Sequence, residues 1–192
     1  YERGLMLRTS TDLVNFGFVG YVLSDIYDEV KEALLAVDGS LDDIRLASPN
    51  IAKVGSEWRL YYTVYVNSES ASLIGYATTS SLADQNWVNK GIILSTPASE
   101  AIRACHPSFI EDNGKHYLTY GHGGVNIVEL NQTTGQVAGT PVKIAPDDAV
   151  QGNGIVRIIN GEYFLFTTLS ERWNSANIRV MKSSSGTIFG PY

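Results

Sequence analysis

One construction occurs three times along this chain of 192 residues. Segments 44–62, 101–120 and 150–166 each pass from a short entry stretch, through Gly or Asn-Gly, into a dense aromatic strand. Trp58, Tyr61, Tyr62 and Tyr65 mark the first such strand, Tyr117 and Tyr120 the second, Tyr163, Phe164 and Phe166 the third. A repeat of about 50 residues is the size of one four-stranded propeller blade. A lone blade cannot bury its own faces, so blades stack around an axis and leave a shared pocket where the axial strands emerge. The expected fold is therefore an all-β propeller, with about three blades in this chain and one short decorating helix. Closed propellers have about four blades or more, so the ring is expected to be incomplete, or completed by a second chain or by missing blades.

The repeat divides the chain. Residues 1–20 read as the end of a preceding blade, 21–43 as a helical connection, and 44–97, 98–147 and 148–192 as blades. Strands are expected at 50–54, 58–65, 72–78 and 91–94 in the first of these, and at 108–111, 116–120, 125–130 and 142–144 in the second. The third is expected at 154–159, 163–168 and 176–181, with an end near Ile188. Asn113-Gly114 and Asn160-Gly161 are hairpin signals. In the helical connection, 25–37, Ile26, Val30, Ala33, Leu34 and Val37 share a face; Asp25 is the expected N-cap and Gly39 follows the end. A start at Tyr1 and an end on the turn Gly190-Pro191-Tyr192 read as a chain cut from something longer.

Composition removes several classes of function. A net charge of -6 without any Lys/Arg run argues against nucleic acid. No apolar stretch is long enough to span a bilayer. The single Cys105 excludes an internal disulfide framework and a multi-cysteine metal site. His116 and His122 are not spaced as a metal pair, and no metal site is expected. Eleven tyrosines and three tryptophans favour strands and surfaces that stack on ligands. Asn131-Gln132-Thr133 is a glycosylation sequon, relevant to a eukaryotic secreted protein.

Several blocks in one order resemble glycoside hydrolase family 43. They are Ser10-Thr11-Asp12-Leu13-Val14-Asn15-Phe16, Leu46-Ala47-Ser48-Pro49-Asn50-Ile51, Ile74-Gly75-Tyr76-Ala77-Thr78, and Ala101-Ile102 leading to His106-Pro107-Ser108-Phe109. Asp112-Asn113-Gly114-Lys115, Tyr117-Leu118-Thr119-Tyr120-Gly121 and the tail from Asn177 to Tyr192 extend the likeness, the tail toward the arabinan-degrading branch. The resemblance implies a five-bladed propeller acting on arabinose- or xylose-containing plant polysaccharide. It implies inversion by a general base, a general acid and a carboxylate that tunes the acid, groups whose roles demand different pKa values. It also implies a secreted or periplasmic parent protein and an oligosaccharide or polysaccharide ligand. No cofactor is required, and an axial calcium or other ion is compatible with the family.

Four pocket positions depart from that pattern. His106 stands where the tuning Asp precedes Pro107. Gly152 falls at the acid Glu, and a one-residue gap aligns Gln151, which hydrogen-bonds but cannot supply an acidic proton. Asn50 replaces an Asp after Pro49, and Ala47 replaces an aromatic residue. The implied general base lies before Tyr1. Two readings of His106 stand: an acid or base near neutral pH, or a polar pocket residue. Asp148, beside Asp147, is either a relocated acid or part of a solvated turn. His106, Gln151 and Asp148 are thus the catalytic candidates, and Asn50, His122, Asn153, Trp173 and Arg179 the sugar-binding ones. Trp173 reads equally as a stacking platform or a blade-packing residue, and Arg179 as a pocket residue or an inter-blade partner. Cys105 reads as buried.

Three functions remain open at this level: a glycoside hydrolase, a carbohydrate-binding propeller without catalysis, and a structural partner for another chain. Replacing an acid Glu by Gly or Gln removes a contribution of about 10²–10⁴ in rate, which favours binding without turnover.

Overall fold

The hairpin signals become tight turns. Asn113 and Gly114 have φ of 49° and 72°, and Asn160 and Gly161 have 53° and 78°, the paired positive angles that match strand twist. They join β7 (Ser108–Asp112) to β8 (Lys115–Tyr120), and β11 (Gly154–Ile159) to β12 (Glu162–Arg172). The computed structural model describes residues 4–37, 44–65, 71–84, 86–97, 99–145, 154–172 and 175–192.

Within these residues the strands form four antiparallel sheets. The first pairs β1 (Leu5–Thr9) with β2 (Gly17–Val22). The second runs β3 (Arg45–Val54), β4 (Glu57–Tyr65), β5 (Ser72–Thr79) and β6 (Val88–Thr96), in that order. The third runs β7, β8, β9 (Val125–Leu130) and β10 (Val142–Ala145). The last runs β11, β12 and β13 (Ser175–Lys182). β3 touches β7, and β11 touches β7 and β8, so the leading strands of successive sheets adjoin. That is the arrangement of blades about an axis.

The connection between β1 and β2 shows why its residues are what they are. Asp12 accepts hydrogen bonds from the backbone N–H groups of Val14 and Asn15 and from the side chains of Ser10 and Asn15. Those donors, the Asn15 N–H foremost, hold its carboxyl far below the usual carboxylate range.

Two expectations need correction. Asp25 is not the helix cap: α1 spans Tyr27–Leu35, Ile26 occupies the N-cap position, and no side chain caps it. The helix packs on one face as expected, Val30 and Leu34 sharing a buried cluster with Leu46, Leu60, Tyr62 and Val64 of the β3–β4 sheet. Finally, β3 begins at Arg45 rather than after Pro49, since a bulge between Ala47 and Asn50 carries the proline through the strand. Near Ile188 the expected end of the last blade is a turn, with Ile188 itself buried.

Aromatic layers lock neighbouring blades. Tyr61 stacks on Tyr76 at 5.0 Å and on Phe109 of β7 at 6.1 Å. Arg59, 3% exposed, extends Nη2 to the carbonyl oxygens of Gln132 and Thr133 at 2.7 and 3.2 Å. Gly135 closes that turn with φ of 72° where the Tyr76 ring leaves no room for a Cβ.

Candidate functional site

The bulge in β3 sets the site. It places Ser48 in the left-handed region, at φ 48°, and turns its hydroxyl onto Nδ1 of His106 at 2.8 Å. His106 is also left-handed, at φ 54°, and its backbone N–H donates to Thr63 Oγ1 of β4 at 2.9 Å. Two residues further along β4 the Tyr65 hydroxyl meets His106 Nε2 at 2.9 Å. Ring and ring cross edge-on at 5.9 Å. The His106 imidazole is thereby held by two hydroxyls of the neighbouring blade and its backbone by a third, and two strained backbone positions persist because those bonds over-determine them.

None of these partners is charged. Burial pushes the His106 imidazole down to about 4, and the nearby His122 adds to the shift. Burial likewise drives the Tyr65 phenol upward. The adjoining Cys105 is fully buried, and its thiol is pushed up to about 12 by that burial. At neutral pH the cluster therefore consists of a neutral imidazole, two neutral hydroxyl groups and an intact thiol.

The remaining candidates divide by placement. His122 lies half-buried in the turn after β8, where its carbonyl accepts the Arg103 N–H at 3.2 Å, and it adjoins His106 electrostatically. Asn50 uses its side-chain oxygen to accept the Phe109 N–H at 2.9 Å, tying β3 to β7. Arg179 is exposed on β13, opposite Thr167, two strand positions or about 10 Å outward from β11. Asp148, Gln151, Asn153 and Trp173 lie outside the described residues, as do Asp147 and Gly152. Among the described residues no group of three His, Cys, Asp or Glu side chains is arranged to hold a metal ion.

Ser48 and Tyr65 are partners of His106 that sequence reasoning passed over. A serine followed by proline at the head of a strand was the available signal, because such a pair marks a bulge that re-aims one side chain.

The family model of glycosyl hydrolases family 43 matches residues 1–192. The chain belongs to that family. A probable arabinan endo-1,5-alpha-L-arabinosidase A of Aspergillus flavus is 32% identical over 104 residues, covering 53% of this chain and 33% of the relative. An extracellular endo-alpha-(1->5)-L-arabinanase of Bacillus subtilis is 25% identical over 156 residues, covering 76% and 47%. The chain thus spans a third to a half of the length of these relatives. The native Bacillus subtilis arabinanase structure superposes with a TM-score of 0.83 at 22% identity, over 100% of this chain and 67% of that one. An alpha-L-arabinanase of Cellvibrio cellulosa, complexed with arabinohexaose, gives 0.75 at 23% identity over 97% and 65%. The family 43 propeller is therefore the fold, and the open sheets are part of it.

Proposed function

We propose that this family 43 chain recognises arabinan, and that the part of its axial pocket built by Ser48, Tyr65, His106 and His122 binds an arabino-oligosaccharide without cleaving it. One observation carries the reading. Where the family resemblance places a carboxylate before Pro107, the chain has His106, kept neutral between the Ser48 and Tyr65 hydroxyls. A carboxylate there would tune the acid by its charge; a neutral imidazole in a buried site supplies hydrogen bonds and no field of that kind. Hydroxyls and neutral nitrogens are the groups that pair with the hydroxyls of a neutral furanose.

Hydrolysis is the second reading, favoured by the arabinanase names of the relatives. It needs an acid and a base at the spacing that leaves room for a water, roughly 6.5–9.5 Å for inversion. Asp148 is the candidate this chain offers for one of them. The extracellular Bacillus relative supports secretion for this protein as well.

Calorimetric titration with arabinohexaose and a reducing-end assay on linear arabinan separate the two. Saturable binding with no release of reducing ends is expected. Release that disappears in His106→Ala or Asp148→Asn overturns the binding reading in favour of catalysis.

A further inference from the structure

Two left-handed residues meet at the boundary between blades, and each stands directly before a proline. Ser48 precedes Pro49 at φ 48°, and His106 precedes Pro107 at φ 54°. A residue before proline is pushed toward extended backbone, so the left-handed state is disfavoured twice over at both positions. The bulge in β3 supports Ser48 from within its own sheet. His106 lies in a bend outside any strand, and its support comes from neighbouring elements.

Every backbone N–H of residues 103–106 has an acceptor. Arg103 donates to the His122 carbonyl at 3.2 Å and Cys105 to the Arg103 carbonyl at 3.0 Å. Ala104 donates to Thr96 Oγ1 at 2.7 Å and His106 to Thr63 Oγ1 at 2.9 Å. Thr63 is fully buried on β4, paired with Ala47 at the edge of the bulge. Tyr65 follows two positions later, so both side chains leave the same face of the strand. That face grips His106 at two points: Thr63 takes the backbone N–H, and the Tyr65 hydroxyl lies 2.9 Å from Nε2 and 3.4 Å from Nδ1 of the ring.

We propose that Thr63 is a positioning residue: its hydroxyl oxygen holds the His106 backbone left-handed and so keeps the imidazole seated between Ser48 and Tyr65. In sugar recognition it acts only through His106, and that part of its role rests on the arabinan-binding reading. The reason is directional. Thr63 fixes the peptide from which the ring projects, and a negative φ at His106 swings the side chain about the N–Cα bond, away from both hydroxyls. Backbone bond and ring contacts thus each favour the conformation that the other needs. Valine in place of Thr63 keeps the branched shape but offers no acceptor, leaving a donor unpaired at a strained residue.

The seating of the ring is read by NMR of the histidine side chains across pH, with His106 assigned by the loss of its signals in His106→Gln. Burial lowers its pKa to about 4, whereas a ring released to water titrates near 6.5. Thr63→Val is expected to raise the His106 pKa by about one unit or more, and Thr63→Ser, which returns the acceptor, to restore it. Thr119→Val is the control. Thr119 is an equally buried threonine of β8 that donates to the Gly154 carbonyl at 2.8 Å, and its loss is expected to lower stability without moving the His106 titration. An unchanged titration in folded Thr63→Val, or an equal rise in Thr119→Val, overturns the proposal. Should Thr63→Val not fold, amide hydrogen exchange in the unaltered chain decides: the His106 N–H is expected to be protected like the β4 amides, and exchange at the rate of an unstructured peptide overturns the bond.

Titration with arabinohexaose reads the part in recognition. Thr63→Val is expected to bind about 10-fold more weakly and Thr63→Ser like the unaltered chain. Undiminished binding by Thr63→Val overturns the role in recognition. Absence of binding by the unaltered chain overturns the arabinan reading itself, while the His106 titration still decides the seating of the ring.

Discussion

The Tyr65 hydroxyl lies 2.9 Å from Nε2 of His106, bridging the end of one blade's second strand to the loop that leads into the next blade. That contact, with Ser48 on the other nitrogen, places a neutral histidine where two blades meet.

Protonating His106 must therefore work against its surroundings. Burial lowers its pKa to about 4, against about 6.5 in an unfolded chain. Between these values the unfolded chain binds the proton and the folded one does not, so folding stability falls as pH drops from about 6.5 to about 4. The loss from this group reaches up to ~3 kcal/mol, reduced by residual solvent screening. Melting temperatures measured across that range for the unaltered chain and His106→Gln check it. The difference between the two profiles is expected to become independent of pH above about pH 7.

Asn50 is expected to act on stability before it acts on sugar. Its oxygen satisfies the Phe109 N–H at 2.9 Å. Asn50→Ala leaves that donor without its partner and is expected to cost about 1–3 kcal/mol, whereas Asn50→Asp keeps the acceptor and costs less. Urea unfolding of both variants is the measurement. Equal stability for all three chains would show that the inter-blade bond does not contribute.

Arg59 anchors the turn of residues 131–135 to the first blade. Its guanidinium is buried, donating to two backbone carbonyls and, through Nε, to Glu57 at 3.1 Å. Arg59→Met removes all three bonds and is expected to destabilise the chain by roughly 2–4 kcal/mol. A lowered urea midpoint with unchanged slope is the expected signature.

Cys105 is expected to be chemically silent. Full burial and a thiol pushed up to about 12 leave essentially no thiolate at neutral pH. Alkylation by iodoacetamide, followed by mass spectrometry, is expected only under denaturing conditions. Modification of the folded chain at a rate near that of a free thiol would contradict the buried placement.

The strands were legible because their signals are local. Alternating aromatic residues set off by Asn-Gly specify a hairpin wherever they occur, and β7–β8 and β11–β12 follow them closely. The start of β3 was not legible, because Pro49 locally reads as a break and only pairing with β4 shows that a bulge absorbs it. Asp25 failed as a cap for a related reason: packing of Val30 and Leu34 on the sheet decides where the helix begins, and it begins two residues later.

From the amino-acid order alone came the blades and their succession, since periodicity is a property of short windows, while the reading of His106 and Gln151 as carboxylate positions was only what the family resemblance implied. Which groups surround His106 was decided only in three dimensions. Ser48 is 58 positions away from it and Tyr65 is 41, and no local pattern encodes a contact that exists only when two blades stand side by side. The same stacking removes water from the imidazole, and with it the charge that its residue type would otherwise suggest near neutral pH.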